Sequence, residues 1–295
     1  MSETGFKNSI IPVTTVLLAI LLIWSIASVL LNTPWQKDIY KRAGAQNVGT
    51  IEFVKATMEQ ERPVLPSPQQ VATEVYNTTV KKKVTSKRSL IYHSKITLSS
   101  AMLGFAMGTL LGIVLSVAIV YNRALRKSLM PWIITSQTIP ILAIAPMIIV
   151  VLNSMGVQGL VPKAFISMYL SFFPIVVGMV KGLNSPDIGH MDLMRTYSAS
   201  NWQSFWKLRL PSSLPYLFTS MKIAVAISIV GAVVAELPTG AVAGLGARLL
   251  AGSYYGQTIQ IWSALVMASI LAGSLVWIVD MIGRLVTKRM GLNHA

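Results

Sequence analysis

Few residues of this 295-residue chain could carry out chemistry. Cysteine is absent and the three histidines lie far apart in the sequence, so neither a thiol nucleophile nor a zinc or iron–sulfur site is expected. The ionisable residues within or at the ends of the apolar segments are Lys163, Lys222, Glu236 and Asp280. These four do not combine a nucleophile with a base, so the sequence predicts no catalytic residue, no metal ligand and no intramembrane enzyme.

The composition indicates that most of the chain avoids water. Hydrophobic residues make up 53% and charged residues only 12%, whereas about a quarter of an average soluble protein is charged. A soluble enzyme, a disordered chain and a disulfide-rich secreted protein are therefore excluded. The net charge of +15 is divided between short loops and one long hydrophilic segment. No solvated basic face results, so the expected surroundings are a lipid bilayer and no nucleic acid.

Six apolar runs are each about long enough to cross a membrane as a helix. The sequence therefore predicts an all-α integral membrane protein with six transmembrane helices. The first run is too long for the apolar part of a signal peptide and no small-residue cleavage pattern follows it, so we interpret it as a membrane anchor. The runs cover residues 11–31, 98–121, 131–152, 162–180, 215–237 and 261–282.

Basic residues set the predicted sidedness, because short loops rich in Lys and Arg stay in the cytoplasm. With both termini inside, the inner segments hold eleven basic residues and the short outer loops hold only Arg248. Both termini are therefore predicted to be cytoplasmic. The expected division is a cytoplasmic N-terminus (1–10), a first transmembrane helix (11–31), a long periplasmic or interfacial segment (32–97), a five-helix core (98–283) with a cytoplasmic loop (181–214), and a cytoplasmic tail (284–295).

The long segment 32–97 contains one clear local signal. Ser67 has the side chain of a helix N-cap, and Pro68 suits the first helical position. The weak apolar stripe that follows over 69–80 predicts a helix on the membrane surface, with a solvated loop as the alternative.

Prolines interrupt the third and fourth apolar runs. Pro140 and Pro146, and Pro174 after Phe173, each remove a backbone hydrogen bond and are expected to kink a helix. Broken helices line pathways in transporters, although ordinary kinks are the other interpretation. Glu236 at the end of the fifth run either pairs across helices or lines the exit of a pathway. Asp280, by contrast, is one turn from Arg284, and an ion pair explains it.

Small residues recur at every fourth position of the second run. Gly104, Gly108 and Gly112 are flanked by Ser100 and Ser116, and the fifth run carries a similar series of serine and alanine. Small residues let membrane helices approach closely. The glycines therefore predict a helix-packing seam.

The loop 181–214 has features of two short amphipathic helices. Ser185 and Pro186 predict the start of the first helix, and residues 198–200 end it. Asn201 is expected to cap a second helix that Leu210 and Pro211 close. Exposed apolar residues indicate a docking surface rather than a solvated loop; they are Ile188, Met191, Met194, Tyr197, Trp202 and Trp206.

Residues 192–200, followed by Leu208, Arg209, Leu210 and Pro211, resemble the EAA loop of ABC importer permeases. That pattern is Glu-Ala-Ala, three residues, Gly, about nine residues, then an apolar residue, any residue and Leu-Pro. Asp192 stands at the position of its glutamate. Other matching pieces, in the same order as in the nitrate/sulfonate/taurine permease branch, are 65–68, 139–140, 145–146, 172–175, 181–183 and 235–236. In this sequence Ser198 stands at the position of the motif's glycine.

The resemblance implies a MetI-like six-helix permease subunit in a bacterial inner membrane. It implies a second permease copy, expected as a homodimer, a cytoplasmic ABC ATPase dimer, and a periplasmic or lipid-anchored substrate-binding protein. The transported solute would be a small one, such as nitrate, a sulfonate, taurine or a thiamine-related pyrimidine. The residues that would couple the loop to the ATPase are Met191, Asp192, Met194, Arg195, Tyr197, Ser198, Trp202, Leu210 and Pro211.

Two observations bear on this interpretation independently. The chain has no G-x-x-x-x-G-K-[ST] phosphate loop, so no cofactor is expected in it, and ATP and Mg²⁺ would be held by the partner ATPase. The principal alternative is a secondary transporter or channel without an ATPase partner. Such a protein would need coupling-ion ligands or inverted repeats, which we do not find.

Overall fold

The structure is a computed structural model that describes residues 3–44, 48–238 and 241–291. Within these ranges the regular structure is helical. The helices are α1 (Glu3–Arg42), α2 (Thr50–Met58), α3 (Pro68–Tyr76), α4 (Leu90–Tyr121), α5 (Arg123–Ser136), α6 (Ile141–Ser154), α7 (Leu160–Leu183), α8 (Ile188–Thr196), α9 (Asn201–Ser204), α10 (Leu210–Glu236), α11 (Leu245–Tyr254) and α12 (Thr258–Arg289). Two π-helical turns, Asn77–Lys81 and Phe205–Arg209, follow α3 and α9.

Among the described residues, five helical segments are long and apolar enough to cross a membrane. They are α1, α4, α7, the continuous segment Asn201–Glu236, and α12. The pair α5 and α6 passes the same test together but is bent by 102°. The predicted all-α membrane fold is therefore confirmed, with six spans if the bent pair counts as one.

The third apolar run is divided into two helices, so of the two interpretations of its prolines the structure has a broken helix rather than an ordinary kink at Pro140. Pro140 lacks an N–H group and disfavours helical geometry at the residue before it, so α5 ends at Ser136 and Pro140 stands at the N-cap of α6. The hydroxyl of Tyr169 on α7 donates a hydrogen bond to the carbonyl oxygen of Ser136, which the end of α5 leaves without a helical partner. Pro146 lies inside α6 without ending it.

The chain forms two compact units, Met1–Ile91 with Arg248–Val266 and Tyr92–Ala247 with Met267–Ala295. In the first unit α1 continues beyond the apolar run to Arg42. Just beyond the run lies fully buried Asn32, whose side-chain oxygen accepts hydrogen bonds from the N–H groups of Val64 and Leu65 at 2.8 and 3.2 Å. Its amide donates to the Leu65 carbonyl at 2.8 Å.

The predicted start of α3 is confirmed. The Ser67 hydroxyl accepts a hydrogen bond from the N–H of Gln70, and the Gln70 side chain accepts one from the N–H of Ser67. This reciprocal pair is a capping box, and Pro68 occupies the first turn.

In the second unit small residues bring α7 against α4. A Cβ added at Gly104 would lie 2.3 Å from the Cβ of Ser167, and one added at Gly108 would lie 2.2 Å from the hydroxyl of Ser171. At Gly112 the nearest atom would belong to Ile175, at 2.6 Å. The three glycines of the predicted seam therefore face α7 at van der Waals contact.

α10 packs against α7 in the same way, and Ser167 takes part in both contacts. The Ser167 hydroxyl donates a hydrogen bond to the Ser228 carbonyl at 2.9 Å. A Cβ at Gly178 would meet the side chain of Ser220, and Ala224 and Ala232 of α10 are fully buried. Close backbone approach to α4 and α10 holds α7 in place, and with it the two ends of the loop between α7 and α10.

Candidate functional site

The loop between α7 and α10 begins differently from its prediction. α8 starts at Ile188 with Asp187 as the N-cap residue, and no side chain caps it. Ser185, the predicted cap, donates its hydroxyl to the Gly182 carbonyl at 2.7 Å instead. The carbonyls in the last turn of α7 have no helical partners, so the serine satisfies one of them and Pro186 precedes the helix.

α8 stands apart from the protein core. None of its nine residues is buried. Ile188 is 80% exposed and Tyr197, which ends the helix, is 76% exposed, whereas Met191 and Met194 are half-buried. Four apolar side chains at helical spacing on one short, largely solvent-exposed helix are unusual in a monomer surface and indicate an interaction site.

The charged residues of α8 pair locally. Asp192 Oδ1 lies 3.0 Å from Nη1 of Arg195, one turn along the helix, and both side chains are exposed. An exposed pair of this kind contributes little to stability. Both groups therefore remain available to a partner.

α8 ends in a Schellman motif centred on Ser198. The N–H of Ala199 donates to the Met194 carbonyl at 2.9 Å, and the N–H of Ser198 donates to the Arg195 carbonyl at 2.8 Å. Ser198 has φ of 49°, and among the described residues it is the one non-glycine residue with positive φ. This left-handed geometry favours glycine, which is the residue that the EAA pattern has at this position.

The second helix of the loop starts one residue earlier than predicted. Ser200, rather than Asn201, is its N-cap: the hydroxyl of Ser200 accepts from the N–H of Gln203 at 3.2 Å, and the Gln203 side chain accepts from the N–H of Ser200 at 2.9 Å. Sequence inspection missed this box, although serine three residues before glutamine is its signature.

The predicted end of the second helix at Leu210 and Pro211 is also wrong, as is the start of the next span at Pro215. The chain is continuously helical over Asn201–Glu236. The N–H of Leu210 bonds to the Phe205 carbonyl, one residue farther back than in an α-helix. The widened turn lets Pro211, which has no N–H, follow without a break, so the loop joins α10 rigidly.

The aromatic residues of this segment divide between core and surface. Phe205 packs into the hydrophobic cluster that includes Met179 and Leu183. Trp202 is 70% exposed and Trp206 is half-exposed, with their ring centroids 5.4 Å apart. Of the residues predicted for coupling, Met191 and Met194 are half-buried, and the exposed ones are Asp192, Arg195, Tyr197, Ser198 and Trp202. Leu210 and Pro211 are half-buried, and Leu210 packs against the same hydrophobic cluster.

Arg209 fastens the loop to the ends of two spanning helices, a role that the sequence did not reveal. Its Nη1 donates to the Leu183 carbonyl at the end of α7 at 3.1 Å. Its guanidinium lies 5.8 Å from the ring centroid of Tyr121, the last residue of α4. A cation beside the last carbonyls of a helix is favourable.

The candidate pathway residues lie at the start of α6 and within α6 and α7. Pro140 is exposed, and Pro146, Phe173 and Pro174 are half-buried. Phe173 packs against the cluster formed by Ile119, Ile133, Phe172 and Val176. Their role as a pathway stays a prediction.

Glu236 is enclosed rather than open to a channel in this structure. Its side chain is fully buried. Both carboxylate oxygens accept from the Thr97 hydroxyl, at 2.9 and 3.0 Å, and one also accepts from the N–H of Gly246 at 2.8 Å. A Cβ at Gly244 would lie 2.2 Å from the carboxylate carbon. This geometry favours the cross-helix interpretation over a pathway lining.

Two further bonds hold the same segment to α4. The N–H of Leu245 donates to the Thr97 hydroxyl at 2.8 Å, and the N–H of Gly244 donates to His93 Nδ1 at 3.0 Å. Thr97 thus connects Glu236 with the segment that begins α11.

Asp280 pairs with Arg284 as predicted, with Oδ2 2.6 Å from Nη2. Its other oxygen lies 2.8 Å from Nζ of Lys222 on α10. This second partner was not predicted, because 58 positions separate the two residues.

Comparison with known proteins identifies the family. The model of the family described as "Binding-protein-dependent transport system inner membrane component" matches residues 108–292, which include the whole loop 181–214. The formylaminopyrimidine transport permease protein ThiX of Halalkalibacterium halodurans is 32% identical over 194 residues, 65% of this chain and 72% of that one. The riboflavin transport system permease protein RibX of Chloroflexus aurantiacus is 28% identical over 76% of this chain and 80% of its own.

A solved structure of the MetNI methionine ABC transporter, in an inward-facing conformation, shares the fold. It aligns with a TM-score of 0.58 at 18% identity, over 70% of this chain and 97% of that chain. The resemblance inferred from the EAA-like loop is thereby confirmed. The chain belongs to the family of binding-protein-dependent transport system inner membrane components and is a multi-pass inner-membrane permease of the ABC importer type.

Proposed function

We propose that this chain forms the translocation pathway for a small solute delivered by a substrate-binding protein, and that a separate cytoplasmic ATPase dimer drives transport by docking on α8 and α9. ATP and Mg²⁺ would bind to that ATPase. A second copy of the chain would complete the pathway, and both termini would lie in the cytoplasm.

The observation that carries this proposal is an exposed apolar surface on α8 and α9, which are firmly attached to the spanning helices. Tyr197 and Trp202 are exposed and Met194 is half-buried on α8 and α9. The attachment is firm because α9 continues into α10 and because Arg209 binds the end of α7. A partner that displaced this surface would therefore move the spans α7 and α10 directly, as alternating access requires.

The solute class follows from the relatives alone. Their names include transport of formylaminopyrimidine, riboflavin, aliphatic sulfonates and nitrate. We propose a small solute of the nitrate, sulfonate, taurine or pyrimidine type, with selectivity residing mainly in the binding protein. The buried Glu236 supports this division, because it is occupied by bonds within its own subunit.

The experiment is co-purification of the ATPase with variants of the loop, together with solute uptake. Interface anchors typically cost roughly 2 kcal/mol or more on truncation to alanine. The double variant Tyr197→Ala with Met194→Ala should therefore lose ATPase binding or uncouple hydrolysis from uptake, and Asp192→Lys should lose uptake while the subunit is still inserted.

The matched control is Tyr254→Ala with Met155→Ala, which removes an exposed tyrosine and an exposed methionine outside the loop. It should retain ATPase binding and uptake. Full ATPase binding and normal uptake in both loop variants would reject the proposed docking surface. Uptake that persists without ATP would favour the secondary transporter instead.

A further inference from the structure

The first unit contains a basic cavity of about 640 Å³ that the proposed transport function does not use. Four cationic side chains line it, with one carboxylate and several amide and hydroxyl groups. A volume of this size is in the usual range for small-ligand sites. The charged residues of the cavity are Lys81, Lys82, Arg88, Arg248 and Glu74.

The protein balances the positive charges of the basic cavity only in part, because four cations share one carboxylate, Glu74. Within the described ranges, none of the four cations has a carboxylate oxygen within 4.0 Å. Arg248 is half-buried. Burial lowers the pKa of its guanidinium, while Glu74 raises it and Arg88 lowers it. An arginine remains charged under such conditions, so Arg248 keeps a half-buried positive charge that Glu74 balances only in part.

The polar groups of the cavity suit an anion as well. Gln257 immediately precedes α12 and Gln260 lies in its first turn, while Arg88 lies two residues before α4. Both helices are candidate membrane spans. Their N-terminal ends carry partial positive charge, and they place the cavity at the end of a spanning helix, where the membrane surface is expected.

We infer that the basic cavity binds an oxyanion of the phosphate or sulfonate type. Two sources offer this chemistry at a membrane surface: the headgroup of an anionic phospholipid and a free anion in solution. Arg88 and Arg248 would hold the oxyanion, since arginine presents paired donors that match its geometry. Glu74 would oppose binding and limit its strength. The inference is independent of ATPase docking on the loop.

The experiment uses the full chain reconstituted in phosphatidylcholine nanodiscs, with the thermal unfolding midpoint as the readout. One arm adds inorganic phosphate or sulfate against chloride at equal ionic strength. The other replaces part of the phosphatidylcholine by phosphatidylglycerol. A rise of the midpoint with phosphatidylglycerol alone assigns the headgroup, and a rise with the inorganic anions assigns a free anion.

Variants separate a site from general electrostatics. Each arginine near an anionic membrane contributes roughly fivefold to affinity. For Arg88→Gln with Arg248→Gln, the affinity obtained from the rise of the midpoint should therefore fall at least about tenfold. Glu74→Gln should strengthen it, which damage to the fold would not do. The control Arg123→Gln with Arg126→Gln removes two exposed arginines outside the cavity and should leave the affinity for the anion unchanged. The inference is overturned if neither arm stabilises the wild type, if the control loses as much as the cavity variant, or if Glu74→Gln has no effect or weakens binding.

Discussion

The main-chain N–H of Ala199 donates a hydrogen bond to the Met194 carbonyl at 2.9 Å, which closes α8 around a serine with left-handed backbone geometry. This turn orients α8 against the helix that begins at Asn201. The family's glycine at this position and the serine of this chain therefore meet the same conformational requirement.

Replacement of Ser198 by glycine should stabilise the loop. A non-glycine residue in the left-handed region costs about 1–2 kcal/mol, and the greater freedom of glycine in the unfolded chain offsets part of the gain. We expect a net gain of about 0.5–1 kcal/mol in unfolding free energy, measured by thermal or denaturant unfolding, with ATPase binding retained.

The matched control is Ser128→Gly, at an exposed interior position of α5. It should destabilise the chain by about 0.5–1 kcal/mol, because glycine is unfavourable within a helix. Equal effects of the two substitutions would contradict the assigned role of the left-handed turn. The β-branched change Ser198→Val should be the most harmful of the three.

Substitution of Gly104 by alanine should disrupt the packing of α4 on α7. The new Cβ would lie 2.3 Å from Ser167 Cβ and 2.5 Å from the backbone oxygen of Ala164, and backbone atoms cannot move aside cheaply. Overpacking of this kind typically costs about 1–3 kcal/mol. The measurement is the unfolding midpoint of the purified subunit in nanodiscs.

Gly273→Ala is the control for that change. A Cβ at Gly273 on α12 has no atom within 4 Å in the described structure, so alanine should be neutral or stabilise the helix by up to about 1 kcal/mol. A Gly104→Ala variant as stable as this control would show that the seam tolerates side chains.

Local signals explain which parts of the molecule could be predicted from the sequence. The cap at Ser67 needs only Gln70, three residues away, and the prediction was correct. The predicted cap at Ser185 was wrong because its hydroxyl bonds to a carbonyl of the preceding helix, a competitor that a cap pattern does not include. At Pro140 a broken helix and an ordinary kink both remained open, since the pattern of prolines does not fix the bend angle.

Contacts between distant residues were beyond sequence inspection. Glu236 and Thr97 are 139 positions apart, and Lys222 and Asp280 are 58 apart. No periodicity or motif links such pairs, so the partner of Glu236 became known only from the packing of α4 against the segment that begins α11.

Thr97→Val should destabilise the chain because it removes a hydrogen bond to the buried Glu236 carboxylate and leaves the buried N–H of Leu245 without its acceptor. The valine neither donates to Glu236 nor accepts from the N–H of Leu245, and an unsatisfied buried group costs about 1–3 kcal/mol. Combined with Glu236→Ala, the loss should be smaller than the sum of the two single losses, because both remove the same hydrogen bond.

Thr138→Val provides the comparison. Thr138 is exposed and its hydroxyl bonds only within its own turn, to the Thr135 carbonyl. Loss of the Thr138 hydroxyl should change the unfolding free energy by no more than about 0.5 kcal/mol. Strictly additive losses at Thr97 and Glu236 would show that the two side chains do not act together.

The proposed sidedness can be tested with single cysteines, since the natural chain has none. His190 on α8 and Gln158 between α6 and α7 are both exposed, so a thiol at either position is accessible to a membrane-impermeant maleimide. We expect His190→Cys to react only after the inner membrane is permeabilised, because the basic loop should face the cytoplasm. Gln158→Cys should react in cells whose inner membrane is intact. Labelling of residue 190 in those intact cells would reverse the orientation and remove the loop from any cytoplasmic ATPase.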